Sequence, residues 1–364
     1  MKVETLLPLG KVDPGLRAPA TPLDISSVSD DARLVEELGY DGLVVEETKD
    51  DPFMVLALAA QATNRLKLGT AVALAFPRSP TVTAMSAWTA QKLSKGRFTL
   101  GLGTQVKAHI ERRFGLKWSA PVPRMREYVQ AVRCVWKCWQ EGVPLRFEGK
   151  HYNLSLMVPL FNPGPIDHPD IPIHLAAVNH SMCSVAGEVA DGLRPHPVCT
   201  PKYIEEVMLP AVRKGAAKSG RKLDGFAVCI KPLIATAPDT ETLREKIRDV
   251  RARVAFYAST PSYLAAFQIH GLADLANRLK LLSREQRWEE MPAYISDDVL
   301  NTYATVGTFD EIGEKIKERY GRLVTNVEFS IPIRSQADRT TLECLIETLK
   351  SAAAPAKLKT LTQT

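Results

Sequence analysis

Residues 65–105 read RLKLGTAVALAFPRSPTVTAMSAWTAQKLSKGRFTLGLGTQ, and this stretch decides the fold. Residues 67–74 and 97–102 are apolar runs of β character, whereas 80–93 carry apolar residues at helical spacing and end in Ser94-Lys95-Gly96. The order is strand, helix, strand. Two strands joined by one crossover helix are parallel neighbours, so their C-terminal ends open on the same edge of the sheet. Ala71-Val72 and Gly101-Leu102-Gly103-Thr104 therefore face one crevice.

The same alternation runs outward in both directions. Upstream lie a strand at 3–9, a Pro- and Gly-rich loop at 10–22, a helix at 24–38 stopped by Gly39, and a strand at 42–47 closing on two carboxylates. A helix over 52–63 starts with Pro52 behind Asp50-Asp51. Downstream, a long loop follows Gly103, then an amphipathic helix at 125–141, a strand-like piece at 146–152 and a Pro-rich connection at 159–170. Strands at 171–178, 192–196 and 226–236 then alternate with helices at 182–190, 203–219 and 240–256. Residues 257–305 read as short helices inserted before closure. A capped helix begins at Gly307-Thr308-Phe309-Asp310 and reaches Tyr320, a strand spans 326–331, and a last helix spans 340–352. The polar tail, 355–364, reads as disordered.

Eight strands alternating with helices predict one α/β domain over residues 1–354, a (β/α)8 TIM barrel with insertions after strand four and between strands seven and eight. A doubly wound open sheet also alternates. It would place Gly-x-Gly-x-x-Gly after the first strand, which residues 3–15 lack.

Composition is that of an ordinary globular chain, 45% hydrophobic and 24% charged, with a net charge of +6. The basic residues are scattered among acids, which speaks against a nucleic-acid partner. No apolar run approaches the roughly 18 residues of a membrane span, and no charged-then-apolar leader opens the chain, so a cytoplasmic location is expected. Six cysteines lie far apart except Cys134 and Cys138 on one helix face, and read as free thiols. Metal catalysis finds no support, because Glu46, Glu47, Asp50 and Asp51 have no ligand spacing. Residues 52–63, PFMVLALAAQAT, are apolar on every face except near Gln61, which predicts that one side packs on the barrel and the other on a second copy, as a homodimer through helices two and three.

Barrel enzymes carry their chemistry at the C-terminal strand ends. Those positions here are Glu46-Glu47-Thr48, Ala71-Val72-Ala73, Gly103-Thr104 with His109 beyond, Ala177 to His180, His196, and Phe329-Ser330. Small residues at Ala71, Gly103, Ala176 and Ala177 leave a shelf on which a flat ring can approach backbone, and equally suit packing under the helices.

The wording of LGTAV and QKLSKGRFTLGLG resembles the luciferase-like monooxygenase superfamily of flavin- and deazaflavin-dependent oxidoreductases. GEVADG before strand six and VGT before the late helix extend the resemblance along nearly the whole chain, and ETKDDPF, HIERRFG, FNPGP and FYASTPSY are similar to a mycobacterial-type subgroup assigned to coenzyme F420. The resemblance implies a non-prolyl cis peptide at Ala71-Val72 whose following side chain backs the ring. It also implies Thr104 and His109 near the ring and ribityl chain, and Ala176, Ala177, Val178 and Asn179 near the phosphate.

Relatives commonly end strand two with an acid followed by His; here the pair is Glu47-Thr48, with Thr48 on the cofactor side. A threonine supplies no proton near neutral pH, so Glu47, His109 and His180 are the candidate catalytic groups, and Glu46 and Glu47 read equally well as a structural ion pair. The implied reaction is hydride transfer between F420 and a small organic substrate. The alternatives are an FMN-dependent luciferase-type monooxygenase and a non-catalytic flavin-binding barrel. Lys107, Arg112 and Arg113 are expected to meet the anionic tail of F420. No motif names the substrate or the direction of transfer.

Overall fold

A computed structural model describes residues 1–11 and 22–353. Most of the loop expected at 10–22 and the tail at 355–364 lie outside the described residues. Eight strands form the barrel: β1 Lys2–Thr5, β2 Gly42–Val45, β3 Lys67–Thr70, β4 Phe98–Gly103, β5 Ile173–Ala177, β6 Gly192–Pro195, β7 Ala227–Ile230 and β8 Asn326–Glu328. All pairings in the ring are parallel. β8 sits between β1 and β7, and Leu68 opposite Phe98 with Gly69 opposite Thr99 joins β3 to β4 and closes it. The (β/α)8 barrel is therefore the fold.

The deciding stretch forms as its spacing requires. Ser79 Oγ accepts from Val82 N at 3.2 Å and Pro80 takes the first turn, so the helix Pro80–Leu93 starts where its open N–H groups are met. Its buried face carries Trp88, whose ring lies 6.4 Å from Trp136 and 5.8 Å from Trp139 of the helix Pro121–Glu141. Lys95 and Gly96, with φ of +52° and +83°, reverse the chain into β4. Arg97 follows, buried. Its guanidinium donates to the Ala60, Thr63 and Leu66 carbonyls at 3.1, 2.8 and 2.6 Å, tying the bases of the two neighbouring units together.

Two further helices, His180–Val189 and Leu209–Lys218, cross at a pair of glycines. A Cβ on Gly187 would lie 2.0 Å from the Val212 carbonyl oxygen, and one on Gly215 would lie 1.9 Å from that of Ser184. Close backbone contact on both sides needs both glycines.

Three expectations need correction. The run 226–236 is not one strand: β7 ends at Ile230, Lys231-Pro232 breaks it, and Leu233–Ala237 pairs in parallel with Ala304–Thr308 outside the barrel. Pro232 has no N–H to give the ladder, and the chain leaves the ring there. The long loop after β4 contains a short helix, Lys107–Arg112, and the next helix starts at Pro121 rather than 125. The piece at 146–152 is half of a small hairpin, Phe147–Glu148 against Asn153–Leu154.

Candidate active site

A cavity of about 990 Å3 opens at the C-terminal ends of the strands, within the size range of small-molecule sites. Its floor on one side is the shelf. The Ala71-Val72 peptide is cis, and beyond it Ala73–Leu74 pairs with the end of β4, Ala73 opposite Leu102 and Leu74 opposite Gly103. Val72 thus lies directly against β4: a Cβ on Gly103 would sit 2.6 Å from Val72 Cγ2 and 3.7 Å from the Ala176 methyl. Two residues earlier on the same strand, a Cβ on Gly101 would strike the Thr70 carbonyl oxygen at 1.9 Å. Glycine at both positions keeps this wall flat.

The shelf continues through Ala176, Ala177, Val178 and Asn179, all of which line the cavity, to the first turn of the helix His180–Val189. Tyr203 fixes that turn by donating its hydroxyl to the Val178 carbonyl at 3.1 Å. On the other edge, Thr104 donates to the Gln105 carbonyl at 2.9 Å, and Gln105 holds a φ of +58°, a conformation uncommon for a side-chain-bearing residue. Gln105 was not anticipated from sequence.

The opposite half of the floor is charged. Lys231, released from β7 by the break, places Nζ 2.7 Å from Glu46 Oε1 and 3.4 Å from Glu328 Oε1. Lys11 reaches the other Glu46 oxygen at 3.1 Å. One layer deeper, Arg194 on β6 meets Glu4 Oε2 at 3.1 Å, and Asn326 donates to Glu4 Oε1 at 2.6 Å. Glu4 and Glu328 are opposite each other in the β1–β8 register, so one column of the barrel interior carries both carboxylates. Burial disfavours ionisation of Glu46, but Lys231 and Lys11 outweigh it and hold its carboxyl below the usual range. Glu328 goes the other way. Burial pushes it up to about 7, Lys231 pulls against this, and the Glu46 charge adds to the rise.

The third wall is aromatic. His196 stacks on Tyr263 with centroids 4.2 Å apart and meets Tyr257 edge-on at 4.8 Å. Burial and the Lys231 ammonium hold its imidazole down at about 3, so it is neutral. Phe256 extends this wall and Trp118 stands at the cavity margin.

The candidate groups separate accordingly. Thr104, Ala71, Val72, Gly103, Ala176, Ala177, Val178 and Asn179 are brought together around one cavity. Glu47 turns away: both its oxygens take Arg78 Nη1 at 2.6 Å, and Oε2 also accepts from Leu74 N at 2.7 Å. Arg78 is further held by Asp51 at 2.9 Å, so Glu47 serves the structural ion pair. Thr48 is exposed, and its carbonyl accepts from Arg113 at 3.1 Å. His109 and His180 are exposed and are not among the residues lining the cavity. Of the expected cationic trio, Lys107 lines the rim, while Arg113 is engaged with Thr48 and lies 4.9 Å from the Phe114 ring. The groups missed from sequence are Glu328, Lys231, Arg194 and Glu4. The available signal was a lone charge inside otherwise apolar barrel strands, as in KVET, GLRP and NVE.

The profile of the luciferase-like monooxygenase family matches residues 5–326. The chain belongs to that family. An uncharacterised protein of Mycobacterium tuberculosis is 39% identical over 326 residues, covering 90% of this chain and 95% of that one. A putative coenzyme F420-dependent oxidoreductase of the same organism is 28% identical over 303 residues, covering 77% and 84%. Among solved structures, the coenzyme F420-dependent tetrahydromethanopterin reductase of Methanopyrus kandleri superposes with a TM-score of 0.71 at 22% identity, covering 96% and 97%. That likeness speaks for the fold. No helix among the described residues is long and apolar enough to cross a membrane.

Proposed function

We propose that this protein is an F420-dependent oxidoreductase moving a hydride between the deazaflavin and a small organic substrate. The observation that carries the reading is the flat shelf: the Val72 side chain against Gly103, continuing through Ala176 and Ala177 to a helix N-terminus. A planar ring fits there because a Cβ at Gly103 would fill its bed. The open N–H groups of the first turn after Asn179, a residue that makes no side-chain cap, suit an anionic phosphate. Lys107 on the rim suits the anionic tail that distinguishes F420 from FMN. When bound, the cofactor supplies the redox chemistry; the chain supplies orientation, exclusion of water and charge.

Val72, with Gly103, Ala176 and Ala177, would hold the ring on this side of the cavity. His196, Tyr257 and Tyr263 form the substrate side, where a neutral imidazole stacked on a phenol presents a dry aromatic surface. The relative named as a putative coenzyme F420-dependent oxidoreductase favours this coenzyme over FMN. An FMN-dependent monooxygenase would use the same shelf. Fluorescence titration of the purified protein with both cofactors decides: tight FMN binding without deazaflavin affinity sinks the proposal.

We also propose a homodimer. Met54 and Leu58 on the helix Pro52–Ala62 and Val82 and Met85 on its neighbour Pro80–Leu93 are exposed, Met54 at 70% and Met85 at 56%. An apolar surface spanning two adjacent helices suits a second copy. Light scattering should give twice the chain mass, and Met54→Glu with Met85→Glu should give a folded monomer.

A further inference from the structure

We propose that Glu328, at the end of β8, is the proton-transfer residue of this site: it protonates the atom next to the carbon that receives the hydride. This rests on the functional reading above, and it identifies a group that the absent strand-two histidine would otherwise supply.

The geometry carries it by contrast between two carboxylates that share one lysine. Both line the cavity. Glu46 has two ammonium partners, Lys231 at 2.7 Å and Lys11 at 3.1 Å, one for each oxygen. Among the described residues, Glu328 pairs only with Lys231, at the longer distance of 3.4 Å, and its side chain is 12% exposed. The other charges around it do not complete the balance. Arg194 on β6 pulls the Glu328 carboxyl down but is itself engaged with Glu4 at 3.1 Å, and Glu4, directly opposite Glu328 on β1, adds a negative charge. Asp249 and Arg253 on the helix Thr240–Ala258 line the same cavity with opposite signs, and the buried Tyr40 hydroxyl lies behind, donating to the Phe329 carbonyl at 3.0 Å. Two carboxylates whose surroundings push them apart divide into a fixed anion and a proton carrier. Here Glu46 is the anion, and Glu328, drawn up to about 7 by burial, is the carrier. The other candidates are occupied elsewhere: Glu47 in its pair with Arg78, His196 as a neutral ring, His109 and His180 outside the cavity lining.

The step balances as follows. The acceptor carbon of a C=O, C=N or conjugated C=C group gains a hydride with its electron pair from the reduced deazaflavin, the π bond opens, and the neighbouring atom takes the proton from the Glu328 carboxyl. The resulting carboxylate rests beside Lys231 and regains a proton from solvent. In the oxidising direction, Glu328 accepts the proton instead.

Infrared titration of the unloaded protein, carrying 13C-carboxyl glutamate, tests the proton directly. A protonated carboxyl should ionise near pH 7 and be absent in Glu328→Gln. In Glu46→Gln its midpoint should fall by about one pH unit or more, because the neighbouring carboxylate charge that raises it is gone. Loaded with reduced deazaflavin and given a soluble quinone, the wild-type protein should oxidise the cofactor at least ~100-fold faster than Glu328→Gln. Glu328→Asp, which keeps a carboxyl, should restore a pH-dependent rate, and melting curves identify any variant that does not fold. A Glu328 ionised throughout the neutral range, or an oxidation rate unchanged by Glu328→Gln, overturns the proposal. Failure of deazaflavin to bind overturns the functional reading instead and leaves the unloaded titration standing.

Discussion

The two halves of the barrel mouth are built on opposite principles. The shelf from β3 to β5 is backbone and methyl groups: Val72 on Gly103, Ala176 beside them, and no charge. The half running from β6 through β8 to β2 is a layered set of charges, Arg194 on Glu4 below and Lys231 between Glu46 and Glu328 above. A shelf of small residues can position a ring but cannot move a proton, and a charged layer can do the reverse. One half is fixed by steric contact, the other by electrostatic balance, so the two should fail differently.

The largest effect is expected from unbalancing the charged half. Arg194→Met leaves Glu4 buried with only Asn326 as a partner, and should cost roughly 3–5 kcal/mol in denaturant unfolding. Adding Glu4→Leu removes the stranded charge and should return most of that loss; a double variant as unstable as the single one would show that the layer is held by packing rather than by charge balance.

The shelf should respond to the smallest possible enlargement. Gly101→Ala drives a methyl group to 1.9 Å from the Thr70 carbonyl oxygen. Because the obstacle is backbone, the strand must shift, and a loss of about 1–3 kcal/mol is expected with weakened cofactor binding. Retention of full stability would show that β3 and β4 can slide apart.

A pH series sharpens the contrast within the charged half. The Glu328 carboxyl lies at about 7 in the folded chain against 4.5 for an ordinary glutamate. Its contribution to stability is therefore fully present below about 4.5 and lost as the pH rises through about 7. Relative to Glu328→Gln, the wild-type melting temperature should fall across that window, by roughly 2 °C or more. A constant difference between the two would place the proton elsewhere.

The smallest effect belongs to the rim. Lys107 is well exposed and its nearest carboxylate, Glu111, lies 3.9 Å away. Lys107→Ala should weaken F420 binding by about 0.5–1 kcal/mol and leave FMN binding nearly unchanged, with the difference fading in high salt.

The same division governs what sequence reveals. The shelf is local: LGTAV and GLGT each place their small residues within a few positions, and a βαβ unit brings two such ends together by topology alone. The cis peptide at Ala71-Val72 and the place of Ala176 to Asn179 at the cavity were implied instead by the family resemblance that such local wording carries. The charged half has no such local signature, because Glu4, Glu46, Arg194, Lys231 and Glu328 come from five strands or strand ends and meet only when the ring closes. Lys231 was hidden further by reading 226–236 as one strand, although Pro232 marked the break. His109 and His180 sat at the expected strand ends, yet strand-end position does not determine which way a side chain turns. The insertion at 257–305 was visible as irregular, but the aromatic wall it contributes depends on contacts with His196 that span the fold.

The strand pair outside the barrel gives that insertion a particular character. Leu233 to Ala237 run in register beside Ala304 to Thr308, so the chain departs and returns through one hydrogen-bonded gate, and residues 238–303 hang between its posts. Phe256, Tyr257 and Tyr263 belong to that hanging piece, whereas Val72, Gly103 and Glu328 belong to the ring. What lies between the posts can therefore be exchanged, and the aromatic face it lends the cavity remade, without touching a strand of the ring.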